Sequence, residues 1–188
     1  FRASTAPVRR EMRGGLGLPF QAVAPQADES AHAGEPPEQL VQRLAEAKAR
    51  AVAAAHPGAL IIGSDQVAVI GDEVLGKPGT HEAAVRQLRR ASGRRVSFLT
   101  GLCLLDAGAD ACQVDLVPFS VRFRELTDRQ IDAYLRREQP YNCAGSFKSE
   151  RLGIALFQRL EGEDPNALIG LPLIRLVDML GAAGVEVL

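Results

Sequence analysis

Strand-length apolar runs and helical stripes take turns along this chain, which predicts the α/β class. Three observations carry that prediction. Leu60 to Ile70 is rich in Ile and Val and reads as a buried strand. Pro37 to His56 carries apolar residues at helical spacing. Val96 to Leu105 and Cys112 to Phe123 form two long strand-like runs across a turn at Ala107 to Asp110.

Taken in order, Ser4 to Met12 reads as a helix, with Ser4 or Thr5 as its cap and Pro7 in its first turn. Free N–H groups beside Arg9 and Arg10 suit a phosphate cradle, and a plain surface helix is the competing reading. Phe20 to Val23 is a short strand. A polar loop from Pro25 to Pro37 follows, carrying Asp28 and Glu29; it is either solvated connection or a source of oxygen ligands for a hard cation. In the helix from Pro37, the expected buried stripe is Leu40, Val41, Leu44, Ala47, Ala51 and Val52, which sets Lys48 at its margin.

The run at Leu60 contains Gly63-Ser64-Asp65-Gln66-Val67. A strand interior does not normally accept Asp. Either the strand breaks there and Asp65 is solvated, or a rigid sheet holds the carboxylate in a cleft; the residues alone weigh the two evenly. A hairpin at Gly71 to Glu73 leads to Gly76-Lys77-Pro78-Gly79, where proline restricts Lys77. The GxxxxGK[ST] spacing of a phosphate-binding P-loop is absent. Thr80 caps the next helix, with Ala84, Val85 and Leu88 inward and Ser92-Gly93 at its end. Thr100-Gly101 interrupts the first long strand. Thr127 and Gln130 form a capping box for a helix to about Arg137.

Tyr141 to Glu150 is a second polar concentration, offering Ser146, Lys148, Ser149 and Glu150. Cys143 lies in it without a nearby His in sequence, which favours a buried thiol over a nucleophile. Ile154 to Phe157 reads as a strand, Glu161 to Pro165 as an acidic turn, and Leu173 to Leu180 as a last helix stopped by Gly181.

Composition bounds the function. With 22 basic and 23 acidic residues the net charge is −1, so any anion site is local. Charge and an aromatic content of 5% without Trp argue against nucleic acid as partner. No apolar run approaches bilayer length and no signal-peptide core is expected, so a soluble protein is. Three cysteines without CxxC spacing point to a reducing, cytoplasmic setting.

Several stretches together resemble the Maf family of nucleoside triphosphate pyrophosphatases. They are Ala3-Ser4-Thr5-Ala6-Pro7-Val8-Arg9-Arg10, Leu44 to Ala49, Gly63 to Val67, Gly76-Lys77-Pro78, Ala144 to Glu150, and Ile169 to Leu173. The Ser64-Asp65-Gln66 and Ser146-Phe147-Lys148-Ser149-Glu150 versions are similar to the subgroup acting on 7-methyl-GTP rather than on dTTP and UTP. The resemblance implies a single domain over residues 1–188, built on an extended, curved, mixed β-sheet with helices packed around it and two lobes separated by a deep cleft. It implies Asp65 as general base, and Val8, Gln66 and Glu150 as specificity residues. Ser4, Arg9, Lys48, Lys77 and Lys148 would bind phosphates. Glu29 and Asp65 would hold a divalent cation, Mg²⁺ or Mn²⁺. The substrate would be a nucleoside triphosphate, with no membrane partner; a homodimer is left open. The chain departs from the family pattern at Ala6, where a second serine is usual, and at Val8, where the subgroup carries a large aromatic. A dTTP/UTP-type pyrophosphatase of the same family, and a weakly catalytic nucleotide-binding regulator of cell division, are the competing functions.

Overall fold

The computed structural model describes the backbone of Arg2 and Ala3 and all of residues 16–188. The helix expected from Ser4 to Met12, and with it Ser4, Val8 and Arg9, lies outside the described residues.

Among the described residues, seven strands make one mixed sheet. They are β1 (Arg2–Ala3), β2 (Gln21–Ala22), β3 (Leu60–Ile70), β4 (Glu73–Leu75), β5 (Arg95–Asp106), β6 (Ala111–Phe123) and β7 (Phe157–Glu161). The order is β2-β1-β3-β5-β6-β7, with β4 also on β3. β1 runs parallel to β2 and β3, whereas β3/β4 and β6/β7 are antiparallel. The helices are α1 (Pro37–Ala53), α2 (His81–Ala91), α3 (Asp128–Glu138), α4 (Pro165–Ile169) and α5 (Leu173–Ala182). The residues group into two compact units, the first of Phe1–Gln66, Thr100–Val117 and Asp164–Leu188, the second of Val67–Leu99 and Pro118–Glu163. The long strands β3, β5 and β6 contribute to both.

In the first unit the sheet is buried on both faces. Ile61, Cys103 and Leu105 pack with Ala45, Ala49 and Val52 of α1. Their strand neighbours Ile62, Leu102 and Leu104 pack with Leu176, Met179 and Leu180 of α5. Strand alternation sends successive side chains to opposite layers, which is why the sequence reads as continuous apolar runs.

The buried face of α1 is Val41, Leu44, Ala45, Lys48, Ala49 and Val52. The expected stripe was therefore rotated. Ala51 is exposed, and Lys48 lies within the buried face instead of at its margin. The cause is close approach of helix to sheet. A Cβ on Gly63 would lie 2.0 Å from the Ala45 carbonyl oxygen, and one on Gly101 would lie 2.1 Å from that of Val41. Only small residues fit along that line. For the same reason Thr100-Gly101 does not interrupt β5; Gly101 is needed for contact with α1, and the strand runs through it.

In the second unit Thr80 caps α2 by accepting from the Ala83 N–H, and Thr127 with Gln130 closes the full capping box of α3. Phe147 plugs the loop after α3 into Phe98, Phe123 and Phe157, with edge-to-face ring contacts at 4.8 to 5.8 Å. The strand expected at Ile154 starts later, at Phe157. The N–H groups of Arg151 and Gly153 both donate to the Lys148 carbonyl, at 3.3 and 3.0 Å, winding Leu152–Leu156 into a 3₁₀ turn. The acidic turn lies where it is expected, between the end of β7 and the start of α4. Asp164 is buried, accepts from the N–H groups of Asn166 and Ile174 at 3.0 and 2.7 Å, and so ties α4 to the start of α5.

Candidate active site

β3 is uninterrupted through the polar motif, so Asp65 sits on a rigid strand. Alternation places it on the same face as Ile61 and Gly63, towards α1, while Ser64 and Gln66 follow Ile62 onto the opposite face. On the α1 face the Lys48 Nζ donates to Asp65 Oδ1 at 2.6 Å and pairs with Glu29 Oε1 at 2.9 Å. The Lys48 and Asp65 side chains are 8% and 13% exposed, against 58% for Glu29, so the Lys48–Asp65 contact is the desolvated one of the two.

Glu29 is brought there by an anchored loop. Arg43, on α1, forks onto Glu35 through Nε (2.6 Å) and Nη2 (2.7 Å), and Nη2 also donates to the Ser30 carbonyl at 2.9 Å. Arg43 and the His32 N–H hold the Glu35 carboxyl down to about 2. The Asp28 side chain accepts from the Ser30 N–H at 2.9 Å, closing an Asx turn beside Glu29.

On the other face, the Gln66 Nε2 donates to Thr100 Oγ1 at 2.9 Å and to the Ala167 carbonyl at 2.6 Å. Thr100, fully buried, donates its own hydroxyl to the Ala167 carbonyl at 3.0 Å. A carbonyl accepts only, so the amide nitrogen must face it, and Gln66 is left with Oε1 to offer. Both hydrogens of the Gln66 amide nitrogen are thus engaged within the protein. Ser64 donates to the Gly170 carbonyl at 2.8 Å.

The second unit holds Lys77, Lys148 and Glu150. Lys77 is exposed and has no ion pair among the described residues, yet its backbone is fixed on both sides. The Gly76 carbonyl accepts from Gln87 Nε2 at 2.9 Å, and the Gly79 N–H donates to the Tyr141 carbonyl at 2.9 Å. Lys148 is half-buried, with its N–H on the Tyr134 hydroxyl at 3.1 Å and its Nζ 3.8 Å from the buried Glu138 carboxylate. Glu138 also pairs with Arg151 at 3.1 Å. Glu150 is exposed. Ser146 adopts φ +63°, a left-handed backbone worth about 1–3 kcal/mol of strain in a residue with a Cβ. Burial pushes the Cys143 thiol up, and no His hydrogen-bonds to it among the described residues, which fits a structural thiol.

The structure thus brings Glu29, Lys48 and Asp65 together, with Gln66 on the strand beside them, and gathers Lys77, Lys148 and Glu150 in the other unit. Arg43, Thr100, Gln87 and Glu138 were not singled out by the sequence. Their roles depend on partners far along the chain, and only the Thr100-Gly101 break in apolar pattern hinted at one of them. Among the described residues no three His, Cys, Asp or Glu side chains converge, and no helix is long and apolar enough to cross a membrane.

A mixed sheet with helices packed on it, carrying a carboxylate–lysine–carboxylate cluster at β3, defines an α/β protein with a charged site on a rigid strand. The chain belongs to the Maf family, matching the family described as Maf-like protein over residues 2–183. It is 59% identical over 186 residues to the 7-methyl-GTP pyrophosphatase of Nitrosococcus oceani, which spans 99% of this chain and 94% of that protein. The protein of the same name from Methylobacillus flagellatus is 56% identical, with 99% and 97% covered. That of Pseudomonas aeruginosa is 54% identical, with 98% and 96% covered.

Proposed function

We propose that this chain is a nucleoside triphosphate pyrophosphatase, a single functional domain that hydrolyses 7-methyl-GTP or a related modified nucleotide to the monophosphate and pyrophosphate. The observation that carries the reading is the Glu29–Lys48–Asp65 constellation on a rigid strand. The near full-length relatives named 7-methyl-GTP pyrophosphatase support the choice of substrate.

Asp65 takes a proton from the attacking water, so that the water oxygen bonds to phosphorus as the bond to the pyrophosphate leaving group breaks. Such general-base help is worth about 10²- to 10⁴-fold. Lys48 has three N–H donors; two serve the carboxylates, and the third is available to a phosphate oxygen. A divalent cation fits this donor set, because Lys48 engages Oε1 of Glu29 and Oδ1 of Asp65 and each carboxylate has a second oxygen to offer. Magnesium, for example, is typically held by one or two carboxylates with water and substrate phosphate completing its shell. When bound between Glu29 and Asp65, Mg²⁺ or Mn²⁺ would offset the charge of the triphosphate. Ser4, Arg9, Lys77 and Lys148 complete phosphate binding in this reading. Gln66 contributes an acceptor to the base edge, and Glu150 attracts the positive charge of a 7-methylated purine. Val8 bears on the choice of base in this reading, as a residue that offers no aromatic ring for stacking. The substrates of such an enzyme are cytoplasmic, and the free thiols suit that compartment.

The test is pyrophosphate release across 7-methyl-GTP, GTP, dTTP and UTP with Mg²⁺ and Mn²⁺. Preference for 7-methyl-GTP is expected. Faster turnover of dTTP and UTP would overturn the substrate assignment, and nucleotide binding without release would overturn the enzymatic one.

A further inference from the structure

Two loops of the second unit carry the side chains that the proposed function assigns to phosphate and base: Gly76 to Gly79 with Lys77, and Tyr141 to Glu150 with Lys148 and Glu150. One side chain touches both. Gln87 projects from α2, donates through Nε2 to the Gly76 carbonyl at 2.9 Å, and accepts through Oε1 from the Ser146 hydroxyl at 2.5 Å. The assignment of the two amide ends is forced, since the carbonyl can only accept and the hydroxyl must then find an oxygen.

We infer that Gln87 is a positioning residue that couples the Lys77 loop to the Lys148–Glu150 loop and so sets both phosphate affinity and base selectivity. The inference rests on the function proposed above. Both contacts sit where the backbone is least able to hold itself. Gly76 immediately precedes Lys77, whose backbone is confined by Pro78. Ser146 is fully buried, lies at φ +63° next to Gly145 at φ +74°, and has Gln87 as the partner of its hydroxyl. Without Gln87 the Ser146 hydroxyl would be buried without an acceptor, and the left-handed turn that sets Phe147 in its aromatic socket and aims Lys148 would lose its brace. The same two loops meet again at Tyr141, whose carbonyl accepts from the Gly79 N–H and whose hydroxyl meets His81 at 3.0 Å. His81 in turn contacts Asp132 of α3 at 3.0 Å. That second tie fixes the roots of the loops; Gln87 fixes the segments next to the functional side chains. Removing it should shift the loops without unfolding the unit.

The experiment is Gln87→Met, close in length but without either hydrogen bond, alongside Gln87→Glu, which keeps the acceptor for Ser146 and loses the donor to Gly76. In Gln87→Met, KM for 7-methyl-GTP should rise about tenfold, and the preference for 7-methyl-GTP over GTP should fall several-fold, with kcat changed much less. In Gln87→Glu selectivity should be largely kept while KM still rises, because the Ser146 side of the brace survives. Ser146→Ala, which deletes one oxygen, should lower selectivity too, and its effect should not add to that of Gln87→Met. Hydrogen exchange of the protein without nucleotide reads the coupling independently of activity. In Gln87→Met, exchange should rise in residues 76–80 and in 144–149 together. Parental KM and selectivity in Gln87→Met, or additive effects with Ser146→Ala, would overturn the inference, as would faster exchange in only one loop. Should the parent turn over no 7-methyl-GTP, the proposed function fails, and the exchange result alone decides whether Gln87 couples the loops. If Gln87→Met does not fold, Ser146→Ala and Gln87→Glu carry the same comparisons.

Discussion

Replacing Gly63 with alanine tests whether the distance between α1 and β3 holds the candidate site together. The added Cβ would lie 2.0 Å from the Ala45 carbonyl oxygen and 3.1 Å from the Ala49 Cβ. Neither partner is a flexible side-chain end, and ordinary contact begins near 3.4 Å, so α1 must move out by about 1.4 Å. Lys48 lies one turn beyond Ala45. Carried along, its Nζ would move from 2.6 Å to about 4 Å from Asp65 Oδ1, beyond hydrogen-bond range. Overpacking of this kind costs about 1–3 kcal/mol, and a lost charge-assisted bond between two mostly buried groups about 1.5–3 more. A fall of about 2.5–6 kcal/mol corresponds, for a chain of this size, to a drop in Tm of roughly 5–24 °C. Thermal unfolding followed by circular dichroism measures it, and the pyrophosphate-release assay below the new Tm should show a parallel loss of kcat/KM. A Gly63→Ala protein with the parental Tm and turnover would refute the reasoning, because it would mean that α1 is not braced on the strand at that point.

Three further outcomes follow from the same geometry. Asp65→Asn keeps the volume and removes the base, so turnover should fall by about 10²-fold or more while nucleotide binding, followed by equilibrium titration, stays within a few-fold; an active variant sinks the assigned role. Gly181, expected to stop the last helix, lies inside α5, which runs on to Ala182, with nothing within 4 Å of a Cβ built on it, so Gly181→Ala should raise stability by about 0.5–1 kcal/mol, read as a higher urea midpoint. Glu35, held down to about 2 from an ordinary 4.5, contributes stability that is complete above pH 4.5 and is lost as the pH falls towards 2. Arg43→Met should flatten that acid limb in unfolding curves taken between pH 2 and 5, and an unchanged limb would show that the Arg43 fork does not anchor the loop of Glu29.

The elements were legible wherever local chemistry decides them. The Thr127–Gln130 capping box, the Thr80 cap and the long strands β5 and β6 stand close to their expected bounds because caps and alternation act over a few residues. The failures share one cause, which is tertiary contact that sequence spacing does not encode. Both long-range glycines, Gly63 and Gly101, look like breaks in a strand, yet they mark where a helix backbone comes within reach of the sheet. That approach is also what rotated the α1 stripe and buried Lys48. Asp164 is one of three acids in the acidic turn, and only tertiary contact singles it out as a buried cap with two backbone donors.

The central motif shows the same division in three residues. Apolar pattern makes Ser64-Asp65-Gln66 part of a strand, and the period of two then separates their side chains onto opposite faces. Asp65 faces a helix that brings it an ammonium, whereas Gln66 faces the Ala167 carbonyl and the Thr100 hydroxyl that consume its nitrogen. Adjacency in sequence suggested one cluster with two tasks. The strand instead builds two environments back to back, one a carboxylate–ammonium pair and the other an amide whose nitrogen is held by Thr100 and Ala167. A substitution on one face, such as Thr100→Val, should therefore alter which base is accepted while leaving the Lys48–Asp65 pair in place. The selectivity ratio should move with little change in the pH dependence of kcat. Equal loss towards every nucleotide would show that the two faces act as one.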